Sequence, residues 1–383
     1  MIRILYIGDP SSVHDIKWVS YFSTRPDFEA HFLVQEHEMH LITAERKRLF
    51  NKLNITIEGP IKSYSLWRFW DNLKSIGKIR EVVKKRRIDI LHPLFATPFS
   101  LWTPYANIPS VITTRGSDIM VVLSNLRKQT GLKKLHGSIL LNRFKKAFIK
   151  SAALTCTSQG QSERINEIFE TKIKAEIIRT GVNVDEIWQL EPKLDLPKNF
   201  TGKKIIFLPR YVRPIYRTEL QLEALNMLPL QTKNKIALLL IKGNRTEDSY
   251  MLKIQKQLDE IGISYHVYDS LTQHEMWSAF KLSALTIMTP KTDGTPNSAL
   301  EAMAANCPLI LGSFGYDIDL FSEKYCFRMK SDSSEELNKL ISKALSNYPE
   351  TVLKSAFENV ALKGNRLVEM ERLRNVYSEI VER

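Results

Sequence analysis

Short runs of apolar, often β-branched residues alternate along this chain with longer amphipathic stretches. We predict strands at 2–7, 88–92, 110–114, 153–157, 176–179, 204–208, 236–241, 264–267, 285–288 and 309–311. Amphipathic patterns typical of helices lie between them, at 15–22, 219–227, 250–261, 273–282 and 298–305. Such alternation predicts an α/β fold with parallel, doubly wound sheets.

The strand–helix alternation restarts near residue 203. Just before it, the stretch 191–202 is polar and contains two prolines and a glycine, which is typical of a linker. We therefore predict two Rossmann-like domains, 1–195 and 203–365, followed by a charged amphipathic helix over 366–383 that packs back on the first domain. Because ligands of open α/β sheets bind outside the carboxyl ends of the strands, we expect the site in a cleft that the two domains face.

The charge balance of the chain favours a polyanionic partner. The 383 residues include 55 Lys and Arg against 42 Asp and Glu, a net charge of +13. Nucleic acid, an anionic membrane surface and phosphate-bearing substrates all fit such a balance. The three cysteines are widely spaced, which predicts a reducing, cytoplasmic compartment. The longest run without charged residues, between Asp89 and Arg115, holds four prolines and is no membrane-spanning helix, so any membrane contact is expected to be peripheral.

The most informative stretch is 290–304, which reads PKTDGTPNSALEAMA and follows an apolar strand. Its first half has turn chemistry, and its second half begins a helix with small apolar residues. Free N–H groups and the positive end of the helix dipole suit a phosphate at that point. Asp293 and Glu301 lie in the loop and in the helix, so both acids can face one ligand at different depths.

This stretch resembles the acidic–seven–acidic signature of retaining glycosyltransferases with the GT-B fold, near glycosyltransferase family 4. The resemblance implies that Glu301 binds the ribose hydroxyls of a nucleotide and that Asp293 contacts the donor sugar. Asp stands here where Glu is commoner in the family. The loop and helix start are predicted to bind the donor through Thr295, Pro296, Asn297 and Ser298.

A second match is the stretch 207–217, FLPRYVRPIYR, which opens the second domain. In the resembling family, an arginine here and a later basic residue hold the diphosphate, which implies Arg210 and then Arg217, with Arg213 as the alternative. Fixed cations stabilise the charge that develops on a leaving phosphate. The turn at Gly243, within 239–244, resembles the glycine turn beneath the nucleotide, and 268–274 resembles the segment that packs on the base.

Two first-domain residues join the predicted site. The loop 8–14 lacks the glycines of a dinucleotide fingerprint, but the resemblance implies that it reaches the phosphates and acceptor through His14, one helical turn before Trp18. The stretch 114–118, TRGSD, resembles a strand-end motif in which histidine usually precedes the glycine. Arg115 stands there instead, which suggests a grip on an anionic sugar or on the acceptor. The resemblance implies no metal and no cofactor, despite the Asp-x-Asp spacing at 317–319.

A basic stripe extends from 119 to 162, where no acidic residue occurs. Its cations are interleaved with apolar residues, and they are Arg127, Lys128, Lys133, Lys134, Arg143, Lys145, Lys146 and Lys150. A basic amphipathic helix of this kind can lie on an anionic membrane, so we predict peripheral contact through 123–150. The alternative is a solvated helix face that covers its own core. No nucleic-acid-binding motif is present, so no nucleic acid partner is expected.

The resemblance as a whole implies a retaining glycosyltransferase that moves a sugar from a nucleotide diphosphate donor. UDP is favoured over GDP, and the expected acceptor is a lipid-linked or surface glycan, as in polysaccharide or capsule biosynthesis at the inner face of the membrane. Two other interpretations stay open: a nucleotide-sugar epimerase or hydrolase of the same fold, and a non-enzymatic basic protein that binds membranes or nucleic acid. The joint presence of Asp293, Glu301 and Arg210 favours the enzyme.

Overall fold

The computed structural model describes residues 1–243, 246–291, 293 and 295–382, apart from the side chain of Leu132. The chain forms two compact units. Unit 1 consists of Met1–Thr180 together with the C-terminal segment from Glu369, and unit 2 consists of Gly181–Val368.

Unit 1 is built on parallel strands. They are β1 (Ile2–Ile7), β2 (Phe28–Gln35), β3 (Ile55–Ile61), β4 (Ile90–Pro93), β5 (Val111–Thr114), β6 (Ala153–Cys156) and β7 (Glu176–Ile177). Four strands pair in the order β3-β2-β1-β4 and three in the order β5-β6-β7. A parallel bridge between Leu91 and Ser110 joins the two groups at β4 and β5. The strand order therefore reverses between β1 and β4, as in a doubly wound sheet.

Helices cover this sheet. They are α1 (Val13–Ser23), α2 (Ala44–Lys52), α3 (Phe69–Arg86), α4 (Ser124–Arg127), α5 (Leu132–Lys150) and α6 (Gln159–Phe169). Two 3-10 helices, Glu36–Leu41 and Phe99–Tyr105, and a π-helix, Asp118–Leu123, lie in the connections. α1 begins after Ser12, whose hydroxyl accepts from the Asp15 N–H at 3.2 Å and so satisfies one of the free donors of the first turn.

Unit 2 contains a second parallel sheet. Its strands are β8 (Lys204–Tyr211), β9 (Ile236–Ile241), β10 (Ser264–Tyr268), β11 (Leu285–Met288), β12 (Leu309–Leu311) and β13 (Phe327–Arg328), in the order β10-β9-β8-β11-β12-β13. Successive side chains enter opposite cores: Phe207 packs on one face of β8 and Ile206 on the other. The order reverses between β8 and β11, which is where open α/β sheets bind ligands. The predicted doubly wound α/β fold is confirmed.

The helices of unit 2 flank this sheet on both faces. They are α7 (Val184–Gln189), α8 (Thr218–Asn226), α9 (Leu230–Lys233), α10 (Asp248–Glu260), α11 (Gln273–Leu282), α12 (Asn297–Ala304), α13 (Ile318–Phe321), α14 (Ser334–Ser346) and α15 (Glu350–Lys363). Short 3-10 helices lie at Lys198–Phe200 and Pro214–Tyr216. In the described part of the chain, no helix is both long and apolar enough to cross a membrane.

The division between the units falls earlier than the predicted boundary at 195. Val182 and Ile187 are buried in the core of unit 2, so the chain joins that unit from Gly181 onward. The stretch predicted as a linker is also packed on unit 2, where Leu194 covers the core and the Lys193 N–H donates to Ser278 Oγ at 3.0 Å. Leucines inside the polar stretch explain this packing, because burying them removes apolar surface from water.

The final helix, α16 (Arg366–Glu382), completes unit 1 from Glu369 onward. Leu373 and Tyr377 are fully buried in the same core as Phe22. The Tyr377 hydroxyl lies 2.5 Å from Nδ1 of His92, and burial lowers the pKa of His92 to about 3. A neutral histidine therefore pairs with the helix inside the core. Arg383, the last residue of the helix predicted over 366–383, lies outside the described residues.

Candidate functional site

The structure brings three predicted residues together at the carboxyl ends of β8 and β11, where the strand order of the sheet reverses. Arg210 lies at the end of β8, and its Nη2 is 3.2 Å from Asp293 Oδ2 in the loop after β11. Nη1 of the same guanidinium donates to Ser298 Oγ at 3.0 Å. The guanidinium carbon also lies 4.4 Å from the ring centroid of Tyr216. A cation is thus held by a carboxylate, a hydroxyl and an aromatic face at the carboxyl edge of the sheet.

The local sequence explains why Arg210 leaves the strand at this point. The β8–β9 ladder shifts register between Leu208 and Tyr211. Pro209 lies inside that shift and has no N–H to donate, so the regular ladder is interrupted there. The next side chain, Arg210, is then free to turn toward the loop that follows β11.

The start of α12 adjoins this cluster. Pro296 occupies the N-cap position, and no side chain of the described residues caps the helix. Thr295 and Asn297 are half-buried, and Ser298 is buried. The first N–H groups of a helix have no acceptors within it, and the dipole makes this end positive. The predicted donor-binding residues therefore surround a helix end suited to an anion, while Thr292 and Gly294 of the same motif lie outside the described residues.

Glu301 lies one helical turn beyond Ser298 and is only 7% exposed. Its Oε1 accepts hydrogen bonds from Gln273 Nε2 at 2.8 Å and from Trp277 Nε1 at 3.2 Å. Both donors come from α11, which begins with a capping box formed by Thr272 and Glu275. Two donors from a well-anchored helix fix the orientation of the carboxylate, as a residue that must grip a ligand hydroxyl requires.

The guanidinium of Arg217, the other predicted phosphate ligand, is engaged in the protein interior. Its Nε donates to the Thr289 carbonyl at 2.7 Å, and its Nη1 lies 2.5 Å from Asp332 Oδ2. This hydrogen bond holds the pKa of Asp332 below its ordinary value. With 9% of its surface exposed, Arg217 ties the end of β11 to Asp332. Arg213 is half-buried and forms no ion pair with the described residues.

Gly243 forms the turn after β9 with a φ of +82°. Its N–H donates to the Asp269 carbonyl at 3.0 Å, next to the end of β10. A Cβ at this position would come within 2.4 Å of the Tyr211 ring. Both the backbone conformation and the close ring therefore require glycine. Asn244, which belongs to the same motif, lies outside the described residues.

In unit 1, Arg115 follows β5 and pairs with a carboxylate that sequence reasoning missed. Its Nη1 lies 2.5 Å from Asp15 Oδ1, and the Asp15 carboxylate also accepts from the Asp9 N–H at 2.8 Å and from Ser12 Oγ at 2.9 Å. Burial raises the pKa of Asp15, and the charge of Arg115 opposes that rise. The signal in the sequence was the Ser-x-x-Asp spacing at 12–15, typical of a helix start. Arg115 is thus already neutralised by a neighbour.

The remaining unit 1 prediction, His14, lies at the start of α1 and is exposed. Trp18, one turn later, is fully buried in the core. The face that the two residues were predicted to share is therefore split between solvent and core. Nearby, Asp118 is completely buried and accepts from the N–H groups of Ala96 and Gly116 at 3.0 and 2.9 Å, which organises the loop that carries Arg115.

The Asp-x-Asp pair at 317–319 has a local structural role. The carboxylate of Asp317 accepts from the Asp319 N–H at 3.3 Å and caps α13. Across the described ranges, no group of three or more His, Cys, Asp or Glu side chains is placed to hold a metal ion.

The basic stripe forms α4 and α5 and their flanks. Phe144 and Phe148 of α5 are buried, whereas Leu135 and Ile149 are exposed. None of the six lysines and arginines of α5 forms an ion pair with a carboxylate of the described chain, and they are Lys133, Lys134, Arg143, Lys145, Lys146 and Lys150. Lys145 donates to the Phe169 carbonyl at 2.8 Å. The helix therefore presents uncompensated positive charge beside exposed apolar side chains.

Comparison with known proteins accounts for both units. The model of group 1 glycosyl transferases matches residues 192–357, and that of glycosyltransferase family 4 matches residues 29–186. No curated protein sequence matches the chain significantly. Solved structures share the fold at low identity. A glycosyltransferase from Rickettsia africae has a TM-score of 0.74 at 15% identity, with coverage of 100% of this chain and 99% of that one.

Two further structures are similar over their whole length. HepE of Anabaena in complex with UDP has a TM-score of 0.72 at 13% identity, covering 99% of this chain and 100% of that one. Sucrose-phosphate synthase from Thermosynechococcus elongatus has a TM-score of 0.70 at 14% identity, covering 100% of both chains. The two family matches together span most of the sequence, and the solved structures share its fold. The chain is therefore a glycosyltransferase of the GT-B fold, in which residues 29–186 match family 4 and residues 192–357 match group 1.

Proposed function

We propose that this glycosyltransferase uses a UDP-sugar donor, retains the anomeric configuration, and transfers the sugar to a lipid-linked or surface glycan. The observation that carries the proposal is the cluster of Arg210, Asp293 and Ser298 at the reversal between β8 and β11, one turn of α12 away from Glu301. The cation and the helix start suit the diphosphate of a nucleotide diphosphate sugar, and the two carboxylates, at different depths, suit the hydroxyls of its ribose and its sugar.

Each part of the donor has a proposed partner. Glu301, oriented by Gln273 and Trp277, accepts from the ribose hydroxyls. The start of α12 and the guanidinium of Arg210 hold the diphosphate. Asp293 contacts the hydroxyls of the sugar, and Gly243 lets the chain pass close beneath the nucleotide. For the second cation we propose Arg213 in place of Arg217, because Arg217 already donates to Thr289 and pairs with Asp332.

The reaction breaks the bond between the anomeric carbon and the β-phosphate oxygen. The acceptor oxygen forms its bond to the same carbon on the face that the phosphate leaves, and its proton passes to the departing phosphate. Negative charge grows on that phosphate in the transition state, where Arg210 and the N–H groups of α12 stabilise it. No side-chain nucleophile, metal or cofactor takes part in this scheme.

UDP is the proposed nucleotide, and HepE of Anabaena, which was solved with UDP, supports that choice. The proposed acceptor lies at the inner face of an anionic membrane, which the enzyme meets from the cytoplasm. The unpaired cations of α5 and the exposed Leu135 and Ile149 support this contact. Each cation near such a surface contributes about 1 kcal/mol. His14 and Arg115 of unit 1 are proposed to contribute near the acceptor, Arg115 as a neutralised hydrogen-bond donor.

Thermal unfolding with nucleotides tests the proposal. UDP at about 100 times its dissociation constant is expected to add about 2.7 kcal/mol of stability, with smaller shifts from GDP, ADP and CMP. Glu301→Ala should abolish the shift, whereas Glu358→Ala, an exposed glutamate of α15, should leave it unchanged. Absence of a response to every nucleotide would contradict the donor assignment. Proton NMR of the product with a UDP-sugar then reads the anomeric configuration directly.

A further inference from the structure

Unit 1 contains an apolar cavity of about 490 Å³. Its walls come from the loop between β3 and α3, the segment after β4, the π-helix and α5, and they include Tyr64, Trp67, Leu101, Val122, Leu140 and Phe144. This volume lies within the range of about 300–1,000 Å³ that is typical of small-molecule sites. None of the donor-binding residues proposed above lines the cavity, so it calls for a different ligand.

The α5 wall follows from helical spacing. His136, Leu140 and Phe144 are four residues apart, so they lie on one face of the helix, and all three line the cavity. The rings of Trp67 and His136 stack with an interplanar angle of 14° and centroids 6.1 Å apart. An elongated apolar face bounded by a stacked aromatic pair suits a hydrocarbon chain better than a sugar, which needs many polar partners.

Large apolar side chains are exposed at Trp67 in the cavity wall and at the residues that follow it in the chain. Trp67 is 80% exposed although it lines the cavity, and Phe69 and Trp70 beside it are 60% and 74% exposed. Leaving so much aromatic surface in water is unfavourable. Clustered exposure of this kind marks a surface that meets a ligand or a membrane, and tryptophan is favoured where one end of a side chain is wet and the other apolar.

A cation stands at the same wall. The Arg143 guanidinium donates to the Tyr64 hydroxyl and lies 5.7 Å from the centroid of that ring. It forms no ion pair with any carboxylate of the described residues. Lys146, one turn further along α5, is likewise without an acidic partner there. The cavity is therefore flanked by positive charge that a negatively charged head group would complement.

We propose that this cavity binds the hydrocarbon chain of a phosphate-bearing amphiphile and that Arg143 binds the phosphate. The inference rests on the proposed function and deepens it, because such an amphiphile is the lipid carrier of the acceptor glycan. The enzyme would then recognise the carrier through its chain and phosphate in unit 1, in addition to any contact between its basic helix and the membrane surface.

Calorimetric titration of the full chain with dodecyl phosphate, below its micelle concentration, tests the assignment. Dodecyl phosphate should bind at least about tenfold more tightly than dodecyltrimethylammonium, which has the same chain and the opposite charge. Inorganic phosphate alone should bind far more weakly than either, because it fills no apolar cavity. Equal affinity for the two amphiphiles would overturn the role given to Arg143.

Matched variants locate the binding. Val122→Trp fills the cavity and should weaken dodecyl phosphate binding about tenfold. Val121→Trp is its control, because Val121 is equally exposed on the same π-helix but does not line the cavity. Arg143→Ala should weaken the binding of dodecyl phosphate but not that of dodecyltrimethylammonium. Lys146→Ala should change the binding of dodecyl phosphate little. Equal effects of the two valine substitutions would overturn the cavity assignment.

Two further measurements, vesicle binding and the UDP thermal shift, distinguish failure of the cavity proposal from failure of the donor proposal. Binding to vesicles of phosphatidylglycerol should survive in Val122→Trp, because surface charge is unchanged; loss of vesicle and monomer binding together would overturn a discrete cavity site. The UDP thermal shift is measured on the same proteins. A UDP response without dodecyl phosphate binding would refute the cavity and leave the donor proposal intact, and the reverse result would refute the donor proposal.

Discussion

Each unit of the protein holds an arginine–aspartate pair near the carboxyl end of a strand, and the two pairs differ in burial. Arg115 and Asp15 in unit 1 lie 2.5 Å apart, with side chains 11% and 5% exposed. Arg210 and Asp293 in unit 2 lie 3.2 Å apart, with side chains 22% and 18% exposed. The first aspartate belongs to a capped helix, and the second lies in a loop. The same two residue types thus form a short, buried ion pair in unit 1 and a longer, partly exposed ion pair in unit 2.

The difference indicates what each pair can do. Asp15 is desolvated and accepts additional hydrogen bonds from Asp9 and Ser12, so removing either charge leaves the other buried without compensation. Arg210 keeps contact with solvent and shares its donors with Ser298. An incoming phosphate can therefore replace Asp293 beside Arg210 at low cost. We infer that the unit 1 pair fixes a loop, whereas the unit 2 pair is available to a ligand.

The largest expected effect is a difference in the stability lost when each of the two aspartates is replaced by alanine. Asp15→Ala should lower the free energy of unfolding by about 3–5 kcal/mol, because it strands the buried Arg115 guanidinium. Asp293→Ala should cost less than about 1 kcal/mol, as for a partly exposed ion pair. Urea denaturation followed by tryptophan fluorescence measures both. Similar losses in the two variants would contradict the contrast between the pairs.

The next effect separates two arginines within unit 2 by activity. Arg210→Ala should lower kcat/KM about 10²–10³-fold with little loss of stability, because it removes a cation at the developing charge. Arg217→Ala should instead cost about 1–3 kcal/mol of stability, since it leaves the Thr289 carbonyl without its donor. Initial rates measure the loss of activity in both variants, and thermal unfolding measures the loss of stability. A stable but inactive Arg217→Ala protein would restore Arg217 as a phosphate ligand.

The smallest effect is a pH dependence around the unit 1 pair. Burial raises the pKa of Glu38 from 4.5 to about 7, and the charges of Asp9 and Asp15 add to the rise. Because the folded state holds this proton more tightly than the unfolded state, the stability from Glu38 is full below about pH 4.5 and is lost as the pH rises through 7. At about 1.4 kcal/mol for each pKa unit, and reduced because the carboxylate keeps partial contact with solvent, the loss should be on the order of 2 kcal/mol.

Unfolding free energies between pH 4.5 and 8 measure this dependence. Glu38→Gln should flatten the profile, and Glu36→Gln, an exposed neighbour in the same 3-10 helix, should not. In Asp15→Asn the midpoint of the profile should move to lower pH, since one repelling charge is gone. An unchanged midpoint would show that Asp15 has no electrostatic influence on this part of unit 1.

Two strands that are buried on both faces could be predicted from the sequence with their exact bounds. Ile236–Ile241 is an uninterrupted apolar run and Leu285–Met288 contains one polar residue, Thr286, and the structure has both as predicted. β2 and β3 were missed because they contain polar residues. His31 of β2 is completely buried, and its Nδ1 lies 3.3 Å from Glu58 Oε1 of β3. Each strand therefore supplies the polar partner that the other needs in order to be buried. No single-sequence pattern contains that pairing.

The candidate site was predictable in the same uneven way. The motif around Asp293 and the arginine at the end of β8 could be found from spacing, and the structure places them in contact. The interior contacts of Arg217 could not be found, because Thr289 and Asp332 reach it only through the tertiary fold. Asp15 was missed for a similar reason, since its partner Arg115 follows a distant strand.

The return of α16 to unit 1 has a consequence for biosynthesis. Unit 2 is continuous in the chain, whereas the unit 1 core needs Leu373 and Tyr377, which are synthesised after all of unit 2. Until then, the pocket that receives them around Phe22 stays open and apolar. At about 5–20 residues per second, synthesis of unit 2 keeps the first segment of unit 1 waiting for α16 for roughly 10–40 seconds. A nascent chain whose α16 has not yet emerged should therefore expose this apolar surface of unit 1 to chaperones.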